Sequence, residues 1–241
     1  MSRGQPDYGQ SAPTEQYATL SDLAEVVKRL TDLIYADGKG STVFHDDFEG
    51  VQLKWNSMTV NEGISKLDST YAQSGSQSVK MDTAKTLVAH TGISREFAVP
   101  ISQRLGAEIS FCPVSTHTAF YMMLSFHESP VFYRAEARIN FGTNKLYIRK
   151  ADGSYLEVVT LNAFSLTTHA FHPFKLVADF DTKVYERVIV DGVTYDLASE
   201  PLYTSTTAAV HKILLEFEQH GIDVTGGQLW VDDAIFTQEE P

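Results

Sequence analysis

The chain has 241 residues, 43% of them hydrophobic, and a formal net charge of -12. That length suits one large domain with an appendage, or two small domains, and the apolar share is enough for a packed core and far from the disordered range. The acidic balance repels phosphate backbones and anionic bilayers, so neither nucleic acid nor a membrane is expected as a partner through a broad charged face.

A single cysteine, Cys112, excludes an intrachain disulfide framework. Its place in the apolar run Ile109-Ser110-Phe111-Cys112 marks it as a buried, inert thiol. The opening Met1-Ser2-Arg3-Gly4-Gln5-Pro6-Asp7-Tyr8-Gly9 has no apolar signal-peptide core, and no stretch approaches the roughly 18 apolar residues of a membrane span. Synthesis in a cytoplasm is the expectation.

Residues 1–18 read as a polar arm with Tyr8 and Tyr17 as anchors. Residues 20–35 read as a helix. Leu23, Val26, Val27, Leu30, Leu33 and Ile34 recur at the spacing of one apolar stripe, and Gly38 stops the pattern. A helix of about four turns is marginal alone in water, so its stripe packs either on the rest of the chain or on a partner.

From Thr42 onward the period changes to two. Arg134-Ala135-Glu136-Ala137-Arg138-Ile139-Asn140-Phe141 alternates cleanly, with Ala135, Ala137, Ile139 and Phe141 facing inward. Gly142-Thr143-Asn144 and Ala151-Asp152-Gly153-Ser154 turn the chain into further strands. Phe174, Leu176, Ala178 and Phe180 share one strand face, and Asp191-Gly192 is the strongest hairpin signal. More strands are expected near residues 208–218 and 229–236. Short strands at regular spacing predict an all-β antiparallel sandwich over residues 41–241, preceded by an arm and helix over residues 1–40.

Three segments carry a resemblance. Phe44-His45-Asp46-Asp47-Phe48-Glu49-Gly50 with Trp55, Ser74-Gly75-Ser76-Gln77-Ser78-Val79-Lys80-Met81, and Leu229-Trp230-Val231-Asp232-Asp233-Ala234-Ile235-Phe236 resemble the first, next and last strands of carbohydrate-binding-module jelly rolls. His172-Pro173-Phe174-Lys175-Leu176-Val177-Ala178-Asp179-Phe180, followed by Asp191-Gly192, is similar to the laminin G and concanavalin A-like family. The whole layout also resembles phage virion structural proteins that pair such an arm and helix with a sandwich.

The jelly-roll resemblance implies a structural calcium joining first and last strands. Asp46, Asp47, Glu49, Asp232 and Asp233 would supply carboxylates and the turn at residues 74–77 its carbonyls. The plainer reading has those acids ending strands and capping turns. It also implies a glycan site built on aromatic platforms, for which Trp55, Tyr121, Tyr133, Tyr147, Tyr203 and Trp230 are available. Trp230 shares strand parity with Asp232, Ala234 and Phe236, which makes it a core residue in the competing reading. His169 and His172 have no third ligand nearby, so zinc is not expected.

Glu216 and Glu218 alternate on one strand, which puts their side chains on one face. The Glu-x-Asp-x-Glu core of laminarinase-type enzymes is absent, because Leu214 and His220 flank the pair. A solvated strand face opposite Ile213, Leu215 and Phe217 is therefore expected, not a hydrolase. The resulting expectation is a non-enzymatic phage structural protein, a decoration or fibre subunit. It would be homo-oligomeric and bound to other virion proteins through Tyr8, Tyr17, Leu23, Val27, Leu30 and Ile34, with a lectin-like sandwich displayed outward. The rival is a free carbohydrate-binding module, with a glycoside hydrolase third.

Overall fold

The structure is a computed structural model. It describes residues 39–85, 89–198, 200–206, 208 and 211–241. The arm, the helix and every assembly residue proposed within them lie outside the described residues. The described residues form β-strands and no helix.

The strands, in chain order, are β1 Ser41–Asp46, β2 Asn56–Val60, β3 Ile64–Asp68, β4 Ser78–Thr83, β5 His90–Phe97, β6 Arg104–Pro113, β7 Thr118–Glu128 and β8 Val131–Asn140. There follow β9 Lys145–Arg149, β10 Tyr155–Thr160, β11 His172–Asp179, β12 Val184–Val190, β13 Val193–Asp196, β14 Tyr203–Thr206, β15 Lys212–Gly221 and β16 Gly227–Gln238. They build two antiparallel eight-stranded sheets. The first runs β13-β12-β11-β6-β16-β4-β3, with β1 also on β16; the second runs β10-β9-β8-β7-β15-β5-β2, with β14 also on β8.

Period-two patterning accounts for the layers. Leu105, Ala107, Ile109 and Phe111 of β6 and Phe174, Leu176 and Ala178 of β11 face Phe120, Met122, Leu124 and Phe126 of β7 and Ile213, Leu215 and Phe217 of β15 in one buried cluster. Ala135, Ala137 and Ile139 of β8 join it, as their alternation predicts. Each large apolar side chain removed from water contributes about 1.5–3 kcal/mol before entropy is counted. The hairpin at Asp191-Gly192 is present between β12 and β13, with positive φ of 50° and 74° at its two central residues, the backbone that glycine tolerates and that a tight primed turn requires.

The last strand closes the sandwich beside the first, Phe44 opposite Phe236. One parity expectation fails there. The register of β16 on β6 slips between Asp232 and Ile235, with Asp233 at a φ of 52°. The bulge inverts the alternation, so Leu229, Val231, Ala234 and Phe236 are core and Trp230 turns to the opposite side. There it sits under Tyr71, ring centroids 4.7 Å apart, and donates Nε1 to Asp68 at 2.9 Å.

Candidate site on the outward face of the second sheet

Alternation that buries Ile213, Leu215 and Phe217 sends Glu216, Glu218 and His220 of β15 to the outward face. The same logic turns Tyr121 and Met123 of β7, and Arg134, Glu136 and Arg138 of β8, to that face. Strand register then aligns them across the sheet. One row is Gly92, Glu218, Tyr121, Arg138 and Tyr147. The next is Ser94, Glu216, Met123 and Glu136.

The first row holds a chain of polar and ring contacts. His220 Nε2 and the Glu218 carboxylate lie 2.6 Å apart. The His220 ring packs tilted against Tyr121 at 4.1 Å and stacks on His90 at 4.8 Å. Arg138 Nη1 donates to the Tyr121 hydroxyl at 3.4 Å, and its guanidinium lies 4.1 Å from the Tyr155 ring and 4.4 Å from the Tyr147 ring. Gly92 is required beside Glu218. A Cβ there would come within 2.4 Å of the Phe217 carbonyl oxygen and 2.8 Å of the Glu218 side chain.

The second row is a buried charge lattice. Arg149 donates to Glu136 at 3.0 Å, Tyr155 donates its hydroxyl to the same carboxylate, and Arg134 pairs with Glu216 at 3.3 Å. Glu216 is only 8% exposed. That burial holds its carboxyl above the usual range; Arg134 pulls it back, and Glu218 and Glu136 add to the rise. The expected solvated strand face is therefore corrected at Glu216, which is buried and paired with Arg134, reaching over from β8 two strands away. Burial, aided by Glu136, likewise keeps the Tyr155 phenol protonated.

Beneath the lattice stands Tyr185, fully buried and reaching across from the first sheet. The β8–β9 ladder covers only Ala137 to Asn140 of β8. Beyond its end the Tyr185 hydroxyl accepts from Glu136 N at 2.9 Å and donates to the Arg149 carbonyl at 2.7 Å. It thereby pins the two backbone positions that carry the Glu136–Arg149 pair.

The residues named from sequence divide. Tyr121 and Tyr147 stand on this face, and Tyr203 lies at its margin under Arg149, 3.9 Å from ring to guanidinium. Trp55 is 5% exposed and packed on Phe217 in the core at 5.6 Å, so it presents no platform. Tyr133 packs against the core beneath Lys183, and Trp230 is closed off on the other sheet. Arg134, Glu136, Arg138, Arg149 and Tyr155 were not singled out, although the small inward alanines of Arg134-Ala135-Glu136-Ala137-Arg138 already sent that charged triplet outward.

The calcium candidates gather partly. Glu49 accepts from Ser76 N and Gln77 N at 2.7 and 2.9 Å. Asp232 accepts from Gln73 N and Ser74 N at 2.8 and 3.2 Å, and Asp233 accepts from the Ser74 hydroxyl. The turn thus offers these acids N–H groups, where the calcium reading asked for carbonyls. Asp46 is spent on Trp55 Nε1 and Phe48 N, and Asp47 on Glu49 N. Among the described residues no three His, Cys, Asp or Glu side chains cluster as a metal site. His169 stacks on Tyr71 and His172 pairs with Asp191, so the two histidines serve different partners.

No family model matches the chain, and no curated protein does. The chain is similar in structure to an endo-β-1,4-glucuronan lyase from Trichoderma reesei, at TM-score 0.56 and 12% identity over 82% of this chain and 96% of that one. It is similar to a galectin-like-fold protein of unknown function from Bacillus subtilis, at TM-score 0.57 and 10% identity over 83% and 97%. It is also similar to an endo-β-1,3-glucanase from Pyrococcus furiosus, at TM-score 0.53 and 14% identity over 86% and 98%. At these identities the likeness shows the fold alone, a jelly-roll, galectin-like sandwich in keeping with the concanavalin A-like resemblance. The reading as a non-enzymatic phage virion protein is corrected: none of these matches is a virion protein, and the sandwiches that share this fold include a lyase and a glucanase.

Proposed function

We propose that this chain is a carbohydrate-active sandwich that lays a polysaccharide across the outward face of its second sheet and cleaves it there. Tyr121 and Tyr147 supply flat apolar surface for sugar rings, with Arg138 between them in the same row. The observation that carries the reading is the His220 pair. Its Nε2 faces the Glu218 carboxylate, so that in the neutral ring Nδ1 carries the lone pair, and the Tyr121 hydroxyl lies on the adjoining ring. A carboxylate-oriented imidazole beside a phenol is an acid–base pair. The lyase and glucanase that share the fold support a sugar polymer as the thing acted on.

The test is incubation of the purified chain with a panel of soluble polysaccharides, following binding and new reducing ends. His220→Ala and Tyr121→Phe each lower cleavage on the order of 100-fold while the melting curve stays cooperative. A wild-type chain that neither binds nor shortens any polymer of the panel refutes the proposal. A second reading, binding without cleavage, draws on the commitment of Glu136 and Glu216 to Arg149 and Arg134; binding with every polymer left full length would select it.

A further inference from the structure

The three arginines of the outward face are not equivalent. Arg134 is neutralised by Glu216 at 3.3 Å and Arg149 by Glu136 at 3.0 Å. Arg138 makes no ion pair with a described carboxylate. Its contacts are the Tyr121 hydroxyl and the faces of Tyr147 and Tyr155, and its Nε is shut from solvent without an acceptor among the described residues. Two rings and a buried stem hold the guanidinium stiff, which removes much of the ordering cost of binding, and the aromatic faces stabilise its charge without neutralising it.

With Nε shut in, the head of the guanidinium still carries one parallel pair of N–H donors, on Nη1 and Nη2, the geometry that matches a carboxylate. Neutral sugars carry no such group. The carboxylate that reaches this row on a sugar ring is that of a uronic acid. Resting on the sugar-directed reading, we propose that the substrate is an acidic, uronate-containing polysaccharide whose carboxylate docks on Arg138, and that its glycosidic bond breaks by β-elimination.

The chemistry follows from the neighbours of Arg138. Pairing the uronate carboxylate with a cation stabilises the negative charge that develops there when the adjacent ring carbon loses its proton. His220 Nδ1 takes that proton. The C–H electron pair becomes the new C=C bond, the bond from the next carbon to the glycosidic oxygen breaks, and the departing oxygen takes a proton from Tyr121. His220 then returns the proton to Tyr121 through the solvent. No water, oxidant or reductant is consumed, and the products are a chain with a new hydroxyl end and a chain ending in an unsaturated uronate. Hydrolysis asks instead for two carboxyl groups flanking the bond, whereas Glu216 and Glu136 are held by arginines. The net charge of -12 repels an acidic polymer at long range, but within a Debye length of about 8 Å the local arginine governs.

The experiment sets polyglucuronate, alginate and polygalacturonate against neutral β-glucans, using the full chain and reading both new reducing ends and the ultraviolet absorbance of the unsaturated uronate. The expected result is absorbance growing in step with reducing ends on at least one acidic polymer and on no neutral one. Arg138→Ala lowers kcat/KM on the order of 100-fold, and Arg138→Lys recovers only part of it, since an ammonium lacks the fork. Reducing ends from neutral glucans without unsaturated product overturn the acidic substrate and leave the sugar-directed reading standing. Acidic polymer bound but uncut, or cut without the absorbance, overturns the elimination. No polymer bound or cut removes both readings. Because the wild-type product alone decides these outcomes, a variant that fails to fold does not shelter the proposal.

Discussion

Replacing Tyr185 by Phe removes one oxygen from the middle of the molecule and tests how the charge lattice is held. The hydroxyl is fully buried and serves two backbone groups, accepting from Glu136 N at 2.9 Å and donating to the Arg149 carbonyl at 2.7 Å. Phenylalanine fills the same space, so no cavity is formed and the apolar contacts with the core persist. What changes is that a buried N–H and a buried C=O lose their partner. Each such group left unsatisfied costs about 1–3 kcal/mol, and allowing for local relaxation the variant loses about 3 kcal/mol of stability. For a chain of this size that lowers Tm by about 6–12 °C. The assay is urea and thermal unfolding of both proteins, with the urea m-value required to stay constant. Because β8 and β9 part where Tyr185 bridges them, the variant also lets the Glu136–Arg149 pair drift and lowers turnover on whatever polymer the wild type cleaves. A change in unfolding free energy under about 0.5 kcal/mol, the range of an ordinary surface substitution, would refute the assignment of Tyr185 as the bridge.

Three further outcomes follow from the same geometry. Gly92→Ala drives a methyl against the Phe217 carbonyl and the Glu218 side chain, so it lowers both Tm and turnover, the latter even at temperatures where the fold is intact by circular dichroism. Glu216 has its folded-state carboxyl raised by burial. Its contribution is therefore neutral below the ordinary carboxyl range at about pH 4 and becomes a growing destabilisation as pH rises through the raised folded value. Glu216→Gln flattens that part of the stability-versus-pH curve, measured by urea melts at a series of pH values. On the far sheet, Glu240 is fully buried at its carboxylate and lies 2.9 Å from Lys175 and 2.6 Å from Arg187. Glu240→Ala removes an anion shared by two cations and costs about 3 kcal/mol in chemical unfolding, without changing polysaccharide cleavage.

The alternation in Arg134–Phe141 and the Asp191-Gly192 hairpin made the sandwich legible, because a strand buried on one face records its orientation in every second residue. Trp230 shows where that record breaks. One extra residue at Asp233 inverts the phase, and nothing in the run Trp230-Val231-Asp232-Asp233 announces it. Tyr121, Tyr147 and the Glu216–Glu218 pair were visible as candidates, yet their value depended on register. Tyr121 and Arg138 are 17 positions apart in sequence and gain meaning only when β7 and β8 pair them. Trp55 misled for the opposite reason: a tryptophan is as useful to a core as to a sugar, and its Nε1 found Asp46. Tyr185 was unreadable, since its task lies in the other sheet.

The most direct measurement is a crystal structure of the full chain soaked with the longest oligosaccharide released from the polymer it cleaves. The account predicts a sugar chain running across β15, β7, β8 and β9, with a ring on Tyr121 or Tyr147 and a carboxylate within hydrogen-bonding distance of Arg138. An oligosaccharide seated on the first sheet or at an end of the sandwich, with the Tyr121–Arg138 row left in solvent, would contradict it.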